Sequence, residues 1–188
     1  MFERIGGDDQ VPALAALLND ADLADSARCA LERIPGDAAA QALRNALATA
    51  QGALLVGIIN ALGERHDAAA LDAMAARFGD GDAAVAVAAV RAAGKIGTAE
   101  AVAALTQAQS TGAPEVAEAA QAALLNCAGQ FAADGNVEAA KAIYTPMLDG
   151  ELPHVRMAAL SGLAALEGRE ALPMLLDAFS SDEDADVR

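Results

Sequence analysis

Apolar positions recur along this chain with two periods, one nested in the other. Leu23, Ala27, Ala30, Leu31 and Ile34 stand at i, i+4, i+7, i+8 and i+11, a single stripe of a 3.6-residue helix. Val11, Leu14 and Leu18 trace a similar stripe just upstream. Stepping on from Leu31 by 31 residues reaches Leu62, Ala93 and Leu124, and a step of 39 then reaches Leu163. Four further columns keep that register: Leu23, Leu54, Val85, Val116, Val155; Ala27, Ile58, Ala89, Ala120, Ala159; Leu43, Met74, Leu105, Tyr144, Leu175, led by Leu14 after a step of 29; and Leu47, Phe78, Gln109, Leu148, Phe179, led by Leu18 after the same step. Each unit is predicted to be two amphipathic helices, A then B, divided by Asp-, Gly- and Pro-rich turns. Asp37, Asp67, Asp82 and Thr98 fall where N-caps belong, and Pro12 falls in a first helical turn, where a missing N–H costs nothing. One such pair cannot cover its own apolar stripe, so successive pairs must stack.

Ala13-Leu14-Ala15-Ala16-Leu17-Leu18, the Asp-rich turns and Ala88-Ala89-Val90-Arg91-Ala92-Ala93-Gly94-Lys95-Ile96-Gly97 resemble HEAT repeats, in the short bacterial form shared with bilin-lyase-type repeats. Pro12 and the pairs Val155-Arg156 and Val187-Arg188 match other habitual positions of that family. The resemblance implies an all-α fold, a right-handed α-α superhelix (HEAT/armadillo-like solenoid) of about five helical hairpins with partial repeats at both ends. The expected array is a single domain over 1–188, with repeats at 8–36, 37–66, 67–97, 98–136 and 137–169 and a partial one at 170–188. Within it, 118–148 is similar to a tetratricopeptide pair: a lengthened B helix through Cys127 to Ala132, a Gly135-Asn136 turn, then a helix in which Pro146 is expected to make a kink or mark the true start. Glu3-Arg4-Ile5 repeats Glu32-Arg33-Ile34, so Met1–Gly6 reads as the end of a B helix, and Asp182–Arg188 as an A–B turn with the first residues of another. Neither end looks like a capping repeat, and a segment of a longer protein is expected, which leaves the compartment undetermined.

Hydrophobic residues make up 55% of the chain and aromatic ones 3%, a composition suited to Ala/Leu helices rather than to aromatic-rich strands. The net charge of −15, from 12 Lys+Arg against 27 Asp+Glu, argues against nucleic acid and anionic membranes as partners. The apolar stretches Gly52–Asn60 and Ala83–Val90 are far shorter than the roughly 20 residues a bilayer requires. Cys29 and Cys127 lie three repeat steps apart; helices stacked about 8–10 Å from one another put them roughly 25–30 Å apart, beyond the ~7 Å reach of a disulfide. Cys127 shares a column with Ile34 and Ile96 and reads as a buried apolar thiol, whereas Cys29 shares the exposed column of Asn60 and Arg91.

The chemistry that can be excluded is considerable. His66 and His154 sit in separate repeats and cannot share a metal or a triad, so surface or capping roles are assigned to them. The Asp clusters at the A–B turns read as caps and a solvated edge, too short and irregular for a calcium loop. By family resemblance, the His-Glu pairs of HEAT hydroxylases and the basic, aromatic-wedged groove of glycosylase relatives are both lacking. No catalytic residue, cofactor or metal is assigned, and the chain is expected to be non-catalytic. The surface expected to matter is the B-helix face off the core stripe, concave if A packs outside and B inside: Arg33, Asn60, Glu64, Arg91, Lys95, Asn126 and Ser161. Its leading reading is a scaffold or spacer that meets a protein partner within a larger bacterial protein, the segment itself being monomeric. A bilin-lyase-like accessory repeat holding a small ligand in the groove stays open beside it, as does a purely structural strut.

Overall fold

The computed structural model describes residues 7–171 and 173, and among these residues it contains ten α-helices, three short 3-10 turns and no strand. In chain order the helices are α1 (Val11–Leu17), α2 (Ala24–Arg33), α3 (Asp37–Leu47), α4 (Gly52–Glu64), α5 (Leu71–Ala75), α6 (Ala83–Ile96), α7 (Ala99–Thr111), α8 (Pro114–Ala133), α9 (Val137–Met147) and α10 (Pro153–Glu167). The segments expected at Met1–Gly6 and Asp182–Arg188, with Leu175 and Phe179, lie outside the described residues. The chain divides into two compact units, Met1–Ala120 and Gln121–Arg188.

In the first unit α1 packs on α2, α3 on α4 and α5 on α6, and the B helices stack α2 on α4 on α6. The predicted columns form this core. Leu31, Leu62 and Ala93 are fully buried, as are Ile58, Ala89 and Ala120, and Leu43, Met74 and Leu105. Each leucine or isoleucine so covered contributes about 1.5–3 kcal/mol relative to exposure. Gly63 sets the closeness of α4 and α6: a Cβ there would stand 2.9 Å from the Cα and Cβ of Ala92. In the second unit α9 packs on α10, with Ala159 and Leu163 buried and Tyr144 only 7% exposed. The Tyr144 ring lies over Gly162, where a Cβ would come within 2.4 Å of it, and burial raises the phenol pKa.

Most end signals hold. Asp67, Asp82 and Thr98 accept N-cap hydrogen bonds from the amides of Ala69, Ala84 and Ala101, and Pro12 sits in the first turn of α1. At Asp37 the expectation is corrected. Gly36, at φ +97°, is the cap residue, a left-handed turn that a side chain would strain, and Asp37 is the first residue of α3. Its carboxylate accepts instead from Arg44 Nη2 at 2.7 Å, while Arg44 Nη1 donates to Asp67 at 2.6 Å, tying α3 to the cap of the next repeat. Leu23 is also corrected: it is 46% exposed, because α2 begins at Ala24 and the Leu23 amide is held in the turn by Asp20 Oδ1 at 3.1 Å. Leu54 is only half-buried, while Val85, Val116 and Val155 in that column are buried. The long α8, the Gly135 turn and the Asn136 cap of α9 follow the reading. Pro146 does not start α9. It sits one residue before the end, where the missing N–H removes a single hydrogen bond from the last turn.

Candidate functional site

The B helices of the first unit carry five of the predicted surface residues. Arg33, Glu64 and Lys95 lie near the C-terminal ends of α2, α4 and α6, and Asn60 and Arg91 lie one turn earlier on α4 and α6. The structure joins two of them directly: Lys95 Nζ donates to Glu64 Oε1 across the α4–α6 contact, an ion pair in the repeat's own 31-residue register. The hydrogen bond from Lys95, and then its charge, hold the Glu64 carboxyl below the ordinary glutamate range. His66, in a left-handed conformation at φ +50°, binds the Lys95 carbonyl through Nδ1 and so ends α4 against α6. Arg33 and Arg91 are exposed and have neither an ion pair nor a hydrogen bond among the described residues. Asn126 and Ser161 are exposed on α8 and α10, within the second unit. Arg28, Arg44, Arg77, Lys95 and Lys141 are engaged in ion pairs, and Arg65 and Arg156 on carbonyls, so Arg33 and Arg91 stand out as free positive charge on a strongly acidic chain.

Both cysteines are free thiols. Cys127 is fully buried, and burial pushes its pKa up to about 11. Cys29 is half-buried rather than exposed, with Arg28 Nη2 2.9 Å from its Sγ. Arg28 also pairs with Asp25 and Glu32, and its stem lies over Gly57, where a Cβ would meet it at 2.8 Å. The acidic turns serve their own backbones: Asp20 accepts from the Asp22 and Leu23 amides, and Asp80 from the Asp82 amide.

Two features escape the sequence reading. Arg65 occupies the column of Ile34, Ile96 and Cys127, and its guanidinium reaches back one repeat to the carbonyls of Leu31, Glu32, Ile34 and Gly36 at 2.5–3.0 Å. It caps the C-terminus of α2 from α4, and a charged residue in an apolar column is the signal that marks it. The second is a cleft of about 630 Å³ on the A-helix side, between α1, α3 and the start of α4. None of the seven predicted residues lines it.

Paired helices that hand their apolar faces from one B helix to the next define an all-helical repeat protein of the α-α solenoid class. Residues 40–125 match the family model of HEAT repeats, and residues 155–181 match that of the PBS lyase HEAT-like repeat. The chain is a HEAT-type repeat protein. Among solved structures it is similar to the complex of CpcE and CpcF of phycocyanin lyase from Nostoc sp. PCC7120, with a TM-score of 0.58 and 21% identity over 95% of this chain and 73% of that one. No curated protein matches the chain. These findings correct one expectation. The sequence, lacking recognisable catalytic residues, reads as non-catalytic, and the lyase-type repeat together with the lyase neighbour overturns that reading. No helix among the described residues is long and apolar enough to cross a membrane.

Proposed function

We propose that the chain is a bilin-lyase-like HEAT subunit that takes an open-chain tetrapyrrole on its B-helix face and works against a protein partner. The observation that carries this is the PBS lyase HEAT-like repeat at 155–181, in a chain whose likeness to a two-subunit phycocyanin lyase complex extends over 95% of its length. The chemistry of the face supports it. Open-chain tetrapyrroles carry two neighbouring propionates, and Arg91 and Lys95, four residues apart on α6, set two cationic side chains about 6 Å apart at their roots. Arg91 is unpaired, and Lys95 shares its charge only with the exposed Glu64, which a ligand carboxylate can displace at small cost. Asn60 adds an amide beside them, and Arg33 a further free cation.

Titration with biliverdin, followed by visible absorption, tests the proposal. A saturable spectral change is expected, weakened at least ten-fold in the double variant Arg91→Glu, Lys95→Glu while circular dichroism stays helical. An unchanged spectrum with the native chain, or equal binding by the double variant, refutes it.

A further inference from the structure

The cleft on the A-helix side has a lining unlike the rest of this acidic molecule: Ala, Leu, Asn, Gln and Thr side chains, without one charged or aromatic residue. Its polar groups are already oriented. Arg44, fixed by Asp37 and Asp67, donates to Gln41 Oε1 at 3.0 Å, and Gln41 Nε2 donates in turn to Asn45 Oδ1 at 2.8 Å. This relay fixes which way both amides face, and it leaves the Asn45 Nδ2 hydrogens without an acceptor among the described residues. The Gln51 amide, at the end of the cleft, has no partner there either. An occupant that uses these groups offers acceptors to Asn45 and either polarity to Gln51, and a neutral one suits a lining that carries no charge.

An extended peptide meets these terms. Gln41 and Asn45 lie one turn apart on α3, about 6 Å along its axis, and Thr49 follows in the turn beyond its end. An extended chain presents equivalent backbone groups about every 6.6 Å. The methyl groups of Ala42 and Ala46 alternate with the amides and let a backbone approach closely, and a volume near 630 Å³ suits a short segment. We propose that this cleft is a second binding site, which holds an extended, uncharged segment of a partner protein through Asn45 and Gln51. The site is separate from the B-helix face and independent of the bilin reading, because a dianionic tetrapyrrole would find no cation here.

The probe is a capped hexapeptide of alternating alanine and threonine, titrated into the ¹⁵N-labelled chain while the side-chain amide resonances are observed. Saturable shifts are expected at Gln41, Asn45 and Gln51, with binding at least ten-fold weaker for Asn45→Ala and for the same peptide carrying aspartate in place of threonine. Asn45 is exposed, so its truncation leaves the fold in place, which circular dichroism checks. The Arg91→Glu, Lys95→Glu variant should bind the peptide unchanged, which separates this site from the tetrapyrrole face. Absence of saturable shifts, unaltered binding by Asn45→Ala, or equal shifts with trehalose as a neutral polyol would overturn the proposal.

Discussion

Arg65→Ile gives the apolar column of Ile34, Ile96 and Cys127 the residue its pattern calls for, and it should nevertheless destabilise the protein. In the native chain the guanidinium donates to four carbonyls at the end of α2, at 3.0, 3.0, 2.5 and 2.6 Å. These include carbonyls that a helix C-terminus leaves without intrahelical donors. Hydrogen bonds to a charged donor contribute about 1.5–3 kcal/mol each when well covered. Arg65 is half-buried, so water replaces part of that loss. Isoleucine also removes the cost of covering a charge, including the buried Nε that has no partner among the described residues. The balance is a net loss of about 2–4 kcal/mol, or roughly 4–16 °C in Tm for a chain of this size. Urea unfolding followed by far-UV circular dichroism measures it, and hydrogen exchange should show the α2 end and the Pro35–Gly36 turn loosening first. A variant as stable as the native protein, or more so, would show that the four contacts do not hold α2 and that the column's apolar pattern alone governs this position.

Two further outcomes follow from the same geometry. A thiol reagent at pH 8 should modify Cys29 in the native protein and Cys127 only after unfolding, because burial both covers that sulfur and pushes its pKa up to about 11; equal native rates at the two thiols would contradict the packing of α8. Glu64 titrates below its ordinary range because of Lys95, so its folded pKa lies under its unfolded one. The ion pair's contribution is therefore complete above the unfolded value and is lost as the pH falls through the depressed folded one. Both partners are substantially exposed, so Glu64→Gln should cost under about 1 kcal/mol at neutral pH, a difference that shrinks as the pH falls through the depressed folded value. A gap between the two unfolding midpoints that persists unchanged into acid would disprove that linkage.

The repeat was legible because stacking makes the same demand at the same place in every unit. Leu31, Leu62 and Ala93 recur since each must fill the space beside the next B helix, and Asp67, Asp82 and Thr98 recur since each helix start leaves amides to satisfy. Local departures from the column pattern were not legible. Leu23 has the column's chemistry but precedes the start of α2, and Asp37 has a cap's chemistry but follows a glycine whose positive φ already turns the chain. In both cases the helix boundary, shifted by a single residue, decided the outcome, and boundaries are where hydrophobic pattern says least.

Function was less legible than fold for a related reason. Positions off the stripe are under no stacking constraint, so their columns mix Asn60 with Arg91 and Glu64 with Lys95, and the sequence shows exposure without showing which charges neutralise each other. The structure resolves that mixture. The offset that aligns Leu62 with Ala93 also brings Lys95 to Glu64, while Arg65 is drawn back to the carbonyls of α2 and Arg28 to Asp25 and Glu32. Arg91 has only Asn60 and Ala122 at the matching offset, and Glu64, the acid at that offset from Arg33, is taken by Lys95, although acids outnumber bases 27 to 12. Free cations on so acidic a chain keep their full attraction for a carboxylate ligand, since no internal partner has to be displaced. The tetrapyrrole reading therefore puts more of its anion binding on Arg91 than on the paired Lys95, and in single substitutions Arg91→Gln should weaken biliverdin binding more than Lys95→Gln does.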